Sequence, residues 1–202
     1  MTKAAAIILA GGKSSRMGKN KALITVKDCR MLEGIIRELT GEFREIIVSA
    51  NDNTYDELGI RTVRDIFPGR GPLGGIHAGL TASGHDINFL VACDMPFINV
   101  ELAVYMAGLA DGYDAVVPQI GSYYQPLFAV YTRNCLKAID DRLVRGDFKI
   151  TSFFPDVRTR FVCPDEIGRF GNPEKLFFNV NTPVDLKTAK SMAGRDGFGP
   201  EV

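Results

Sequence analysis

A chain of 202 residues, 46% of them hydrophobic, is long enough to bury one core and short enough to need only one. Lys+Arg and Asp+Glu number 24 each, so no global field gathers nucleic acid, and any anion must be held by a local cluster of donors. Cys29, Cys93, Cys135 and Cys163 stand far apart with no C-x-x-C pair, which argues against a zinc site and a disulfide framework and for a reducing, cytoplasmic setting.

The first element is the apolar run Ala4–Leu9, read as a buried strand. It is far shorter than the roughly 20 residues of a membrane span, and it enters a glycine-rich loop without a cleavage region, so no membrane role is expected. Further strand-like runs are Glu45–Ser49, Asn88–Cys93, Asp114–Pro118, Pro126–Tyr131 and Leu176–Val180. Between them, Cys29–Thr40 places Leu32, Ile35, Ile36 and Leu39 at helical spacing, and Ile76–Thr81, Val100–Leu109, Arg133–Val144 and Pro183–Met192 are further helices. Gly168–Pro173 reads as loop. Alternating strands and helices predict an α/β fold, doubly wound, with a mostly parallel sheet covered by helices on both faces, Rossmann-like in architecture. One domain is expected over residues 1–193, with a frayed tail at 194–202.

The stretch from Leu9 to Lys21, L-A-G-G-K-S-S-R-M-G-K-N-K, carries four cations and no acid. Paired glycines Gly11 and Gly12 let backbone N–H groups approach an oxyanion, while Arg16 and Lys21 supply charge suited to phosphates. Five residues separate Gly12 from Gly18 and Lys19 precedes Asn20, so this is not a Walker loop; nor does it contain G-x-G-x-x-G. A solvated loop whose glycines merely turn the chain is the bland alternative. Its position after a buried strand, where α/β folds bind ligands, favours the phosphate reading.

Asp94 closes the run Phe89–Cys93 and should emerge at the carboxyl end of a central strand, a hard oxygen ligand suited to Mg²⁺. On sequence alone, a helix cap before Pro96 competes evenly with that role. Arg64-Asp65 ends another strand and precedes a loop, Pro68 to Gly75, whose glycines suit close approach to a base or ribose. Asn51 stands just past Ser49, where its amide could read a base edge, although Asn51 and Asp65 are equally good turn formers. Near the C-terminus, Thr182 and Pro183 read as a helix cap and first helical residue. That leaves Asn179 and Asn181 unexplained, and Asn181 is placed toward metal and phosphates. His77 and His85 have no partner spacing and read as packing or surface residues.

Taken together these residues resemble the molybdenum cofactor guanylyltransferase family, the MobA-type branch of the nucleotidyltransferase fold. The resemblance spans nearly the whole chain. It rests on L-A-G-G-x-x-x-R-M-G ending in Lys21, the D-x-x-P-G-x-G-P-L-x-G-I run from Asp65 to Ile76, Cys93-Asp94-Met95-Pro96, Pro126-Leu127-Phe128-Ala129 and N-V-N-T-P. It implies transfer of GMP from GTP to the terminal phosphate of molybdopterin, with Mg²⁺ and release of pyrophosphate. By the same resemblance Leu9, Ala10, Gly11, Lys21, Asn51, Asp65 and Asp94 contact GTP, Asp94 holds the metal, and Arg16 neutralises the leaving group. Asn20 departs from the family, where related loops often carry Asp. Partners would be other cofactor-maturation proteins or the molybdoenzymes that receive the product. Toward the C-terminal half, Tyr123, Tyr124, Gln125, Arg133 and Lys149 offer aromatic and cationic groups for a pterin phosphate, although ordinary surface placement is the better reading of any one of them. Two alternatives stay open: a nucleotidyltransferase with another acceptor or with CTP, and a catalytically silent nucleotide-binding module.

Overall fold

The computed structural model describes residues 2–11, 21–26, 29–51 and 54–195. Its strands and helices are, in chain order, β1 (Ala5–Leu9), β2 (Thr25–Val26), β3 (Cys29–Arg30), α1 (Met31–Leu39), β4 (Glu45–Ser49), β5 (Arg61–Val63), α2 (Gly71–Ala82), β6 (Ile87–Ala92) and α3 (Val100–Gly108), followed by β7 (Ala115–Ile120), β8 (Tyr123–Tyr124), β9 (Phe128–Thr132), α4 (Cys135–Arg145), β10 (Thr159–Val162), α5 (Pro164–Ile167), α6 (Pro173–Leu176) and α7 (Pro183–Arg195). The main sheet has the order β10-β7-β9-β6-β1-β4-β5, with β8 hairpinned onto β7.

Strands β1, β4, β5 and β6 are mutually parallel; β9 is antiparallel to both β6 and β7, so β7 and its parallel neighbour β10 run the same way as β6. β1 is buried at every residue, and its alternation divides the core. Ala6 and Ile8 face a layer with α1 and α3, where Phe89, Val91 and Phe128 pack, while Ile7 and Leu9 face α2 and α4 with Leu90, Ala129 and Tyr131. Strands covered on both sides lose the hydrophobic alternation of a half-exposed sheet, which is why they read as continuous apolar runs.

Five of the six expected strands are present within a residue or two of their expected bounds. Leu176–Val180 is not a strand. Asn172 caps a short helix by accepting from the Glu174 N–H, Pro173 opens it, and Leu176 is its last residue. Val180 instead donates its N–H to the Asp94 carbonyl at 2.9 Å, a single backbone bond and not a ladder. At the other end of the expected helix Cys29–Thr40, Cys29 and Arg30 pair with Val26 and Thr25 in a small hairpin, and α1 starts only at Met31. α7 runs through Arg195, past the expected boundary at 193.

Helix α2 shows how packing overrides propensity. It holds Gly75 and Gly79, poor helix formers, because there it lies close against β1 and β4, and Gly74, where a Cβ would crowd the Phe67 carbonyl at 3.1 Å. A Cβ on Gly79 would stand 2.6 Å from Ile7 Cγ2. Gly108 in α3 meets nothing within 4 Å.

At the β10 edge, the Glu166 carboxylate gathers the Tyr105 hydroxyl at 2.8 Å, the Arg160 guanidinium at 2.8 Å and the Cys163 N–H at 3.0 Å. Burial pushes its pKa upward, but these hydrogen bonds outweigh burial and hold the group at about 2 against an ordinary 4.5.

Two outcomes test these packings. Gly79→Ala should destabilise the protein by about 1–3 kcal/mol in urea unfolding, the penalty of overpacking a buried site, whereas Gly108→Ala should be neutral or stabilise by up to about 1 kcal/mol. A Gly79→Ala protein as stable as wild type would mean that α2 does not bear on β1 as described. Because the folded-state pKa of Glu166 is depressed, its contribution is complete above the ordinary value and is lost as pH falls. The stability gap between wild type and Glu166→Gln should therefore be constant above about pH 4.5 and close as pH approaches about 2; a gap independent of acid pH would refute the coupling.

Candidate active site

Strand ends on one edge of the sheet carry most of the chemistry anticipated from the sequence. The pairing continues just past each strand: Ala10 N–H donates to the Ser49 carbonyl at 2.9 Å, Ala50 N–H to the Val63 carbonyl at 2.9 Å, and Cys93 N–H to the Leu9 carbonyl at 3.0 Å. These bonds lock Leu9-Ala10-Gly11, Ala50-Asn51, Arg64-Asp65 and Cys93-Asp94 side by side. Leu9 and Ala10 are themselves buried, so they contribute backbone and not side chains to this edge. Gly12 and Arg16 lie outside the described residues, as does the side chain of Lys21.

Asp94 is not a helix cap. The residues after it turn, α3 begins only at Val100, and its cap is Asn99, whose side chain accepts from the Leu102 N–H at 2.8 Å. Asp94 is half-buried and is braced on both sides. Met95 is 1% exposed beneath the turn, and Phe97 joins Val26, Met31, Val180 and Ala189 in a small third cluster. The Val180 bond to the Asp94 carbonyl sets Asn179 and Asn181 on either side of the contact. Asn181 is held in turn by Asp185, whose carboxylate accepts from the N–H groups of Asn181 at 2.9 Å and Thr182 at 2.8 Å. Thr182 completes a reciprocal cap by accepting from the Asp185 N–H at 3.2 Å.

Asn51 and Asp65 form a reciprocal pair. Asn51 Nδ2 donates to Asp65 Oδ2 at 2.8 Å, and the Asp65 N–H donates to Asn51 Oδ1 at 3.0 Å. The partners fix the amide orientation, since a flipped amide would set oxygen against carboxylate. Both ends of the Asn51 amide are thus engaged, and Asn51 aims Asp65. A Cβ on Gly11 would lie 3.8 Å from Asn51 Nδ2, so the chain at Gly11 passes directly beside this pair. Gly74 and Gly75, expected in a loop, are in the first turns of α2; a Cβ on either would lie 3.5–3.6 Å from the Asp65 carboxylate and nearer still to Phe67 O or Ser49 Oγ. Their smallness serves helix packing under Asp65.

Other expectations separate. Tyr123, Tyr124 and Gln125 sit on the same edge as Asp94: Gln125 N–H donates to Pro118 O at 2.9 Å and Ala92 N–H to Leu127 O at 3.0 Å. Tyr124 stacks on Phe161 with centroids 4.9 Å apart, while Tyr123 is 75% exposed. Lys149 is exposed and follows Phe148, whose ring lies under the Arg70 guanidinium at 4.7 Å. Arg133 falls on the opposite edge, since its N–H bonds Asp86 O before β6 begins. The reversal of β9 puts it there. His77 is a packing residue, 2.8 Å from Asp140 Oδ1 and edge-on to Phe67.

Sequence reading missed two residues that shape this edge, Asp185 and Tyr55. The T-x-x-D spacing of a capping box was available for the first. Tyr55, one aromatic in a polar stretch, is 1% exposed and donates its hydroxyl to the Ala10 carbonyl at 3.2 Å. Among the described residues no group of three or more His, Cys, Asp or Glu is placed to cage a metal, and no helix is long and apolar enough to cross a membrane.

A mostly parallel sheet with helices on both faces and its strand-end loops gathered at the carboxyl edge is the architecture of a Rossmann-like nucleotidyltransferase. The crystal structure of molybdopterin-guanine dinucleotide biosynthesis protein A from Archaeoglobus fulgidus has this fold, with a TM-score of 0.83 over 95% of this chain and 99% of that one at 25% identity. Residues 6–159 match the MobA-like NTP transferase domain. A probable molybdenum cofactor guanylyltransferase of Pelotomaculum thermopropionicum is 43% identical over 98% of both chains, and the molybdenum cofactor guanylyltransferase of Syntrophotalea carbinolica is 34% identical over 96% of this chain and 93% of its own. The chain belongs to the MobA-like NTP transferase family.

The Asn51–Asp65 pair can be tested by charge. Asn51→Asp sets two carboxylates at hydrogen-bond distance and should destabilise the protein by about 1 kcal/mol at neutral pH. Thermal melts should recover that loss as pH falls through the carboxylate range and one group takes a proton. A loss unaffected by pH would show that the two side chains do not face each other.

Proposed function

We propose that this protein transfers GMP from GTP to the terminal phosphate of molybdopterin, releasing pyrophosphate, and that it works in the cytoplasm with Mg²⁺. The observation that carries the reading is the junction at Asp94. Its turn is bonded to the N-V-N-T-P run by Val180 and lies beside the Leu9–Gly11 backbone through Cys93. Relatives that are at least one-third identical over nearly the full chain carry the guanylyltransferase name.

The donor set suits Mg²⁺, which takes one or two carboxylates and completes its shell with water and substrate phosphates. Asp94 would supply that carboxylate, with Asn181 beside it. When bound, the ion would neutralise charge on the phosphates as it develops. The acceptor's phosphate monoester has a second pKa near 6, so it is already an anionic nucleophile at neutral pH and needs no general base. An acceptor oxygen forms the new bond to the α-phosphorus of GTP, while the bond from that phosphorus to the bridging oxygen breaks and the electron pair leaves with pyrophosphate. Backbone N–H groups of Gly11 and Gly12 would hold the nucleotide, Asp65 aimed by Asn51 would accept from the guanine, and Lys21 and Arg16 would draw charge from the leaving group.

Nucleotide binding and turnover test this together. Wild type should show a thermal shift selective for GTP over CTP, ATP and UTP and dependent on Mg²⁺; ligand at about 100 times its dissociation constant adds roughly 2.7 kcal/mol. Asp94→Asn should weaken the Mg²⁺ dependence and lower pyrophosphate release from GTP and molybdopterin by about 100-fold or more. Preference for CTP would sink the guanylyl assignment, and full turnover by Asp94→Asn would sink the metal role.

A further inference from the structure

The peptide between Ala10 and Gly11 is where the strand backbone becomes the nucleotide loop. The Leu9–Ala10 peptide just before it is fixed at both of its polar ends, since the Leu9 carbonyl accepts from Cys93 N–H at 3.0 Å and Ala10 N–H donates to Ser49 O at 2.9 Å. The Ala10 carbonyl accepts from the Tyr55 hydroxyl at 3.2 Å. Tyr55 is 1% exposed and belongs to the core layer that contains Ala10, Val48, Ala50 and Leu32. Its ring therefore comes from inside the protein, and its hydroxyl draws the carbonyl toward the core.

A trans peptide is planar, with its C=O and N–H pointing in opposite directions. Drawing the Ala10 carbonyl inward therefore turns the Gly11 N–H outward, past the Asn51–Asp65 pair beside which Gly11 lies. We propose that Tyr55 is a positioning residue for the nucleotide, its hydroxyl setting the peptide plane that presents the Gly11 N–H as a donor to bound nucleotide. The idea rests on the nucleotide-binding reading of this edge and adds to it a residue that touches no substrate. Phenylalanine at position 55 would fill the same space and leave the ring in place. The carbonyl would lose its partner, and the peptide would gain freedom to rotate relative to the fixed Leu9–Ala10 peptide before it.

The test is Tyr55→Phe assayed beside wild type and beside Tyr105→Phe. The control loses a buried-side hydroxyl bond to Glu166 at 2.8 Å, at α5 beyond the β10 edge, four strands along the sheet from β1. Loss of a donor used equally in ground state and transition state raises KM and leaves kcat unchanged. Tyr55→Phe should therefore raise KM for GTP by roughly five- to tenfold, the effect of one hydrogen bond, with kcat and KM for the acceptor unchanged. Tyr105→Phe should lower the unfolding midpoint without moving any of the three. If wild type turns over GTP and Tyr55→Phe keeps its KM within about twofold, the inference falls while the function stands. Equal deterioration of both KM values and kcat would also overturn it, since that marks general loosening. Absence of GTP turnover in wild type would instead strike the proposed function.

Discussion

Six strands of the sheet run in one direction, and so every connection that leaves one of their carboxyl ends leaves from a common edge. That constraint gathers residues far apart in sequence. Gly11, Asn51, Asp65 and Asp94 follow β1, β4, β5 and β6 by at most two residues each, and these are four adjacent strands. Backbone bonds one residue past the strands keep the connections aligned before any side chain acts. The reversed strand β9 adds to the same edge from the other side, since it begins there and brings Gln125–Leu127 next to the Asp94 turn.

The edge is held by apolar burial as much as by hydrogen bonds. Asp94 must project a charge while its neighbours are withdrawn from water, and the turn after β6 meets both requirements: Ala92 and Met95 are buried, and Asp94 is half-exposed. Phe97 and Val180 then share the small cluster into which α7 places Ala189 and Leu186. Full burial of such side chains is worth about 1.5–3 kcal/mol each, more than the single Val180 hydrogen bond it secures. The C-terminal helix is thus part of what fixes the spacing between Asp94 and Asn181.

What the sequence made legible follows from physics that acts locally or on whole strands. Runs such as Ile7–Leu9 and Phe89–Val91 are apolar because both faces of a parallel sheet are covered, and their positions were clear for that reason. Asp94 and Asp65 were visible as charges at the ends of such runs. Leu176–Val180 is apolar without being a strand because Leu176 and Phe177 pack into the main core while Phe178 and Val180 pack with α7, and Asn172-Pro173 starts a helical turn that periodicity does not register. Gly74 and Gly75 suggested a ligand loop, yet the need they meet is close packing of α2, Gly74 against Phe67 and Asp65 and Gly75 against Ser49 and Leu9. The same limit hid the Asn51–Asp65 pair and Tyr55, since nothing local in a polar stretch tells which side chain turns inward. Arg133 was misplaced because the direction of β9 is a property of the sheet and not of the strand.

Zero net charge gives this arrangement its electrostatic logic. Two anions have to meet at one edge of a protein that exerts no long-range pull on either. Attraction must therefore come from charges within reach, and Lys13, Arg16, Lys19 and Lys21 are concentrated in one connection after β1. Asp65 and Asp94 stand on the strands to either side of that connection's origin, β5 beyond β4 on one flank and β6 on the other. A carboxylate near polyphosphate is repelled unless it faces a hydrogen-bond donor on the base or a cation between it and the phosphates. The pairing of Asp65 with Asn51, beside Gly11, fits the first role on the proposed reading. Asp94, tied by its backbone to the asparagine run, fits the second. On the proposed reading, two acids of one type take different roles because the sheet sets them on strands to either side of β1.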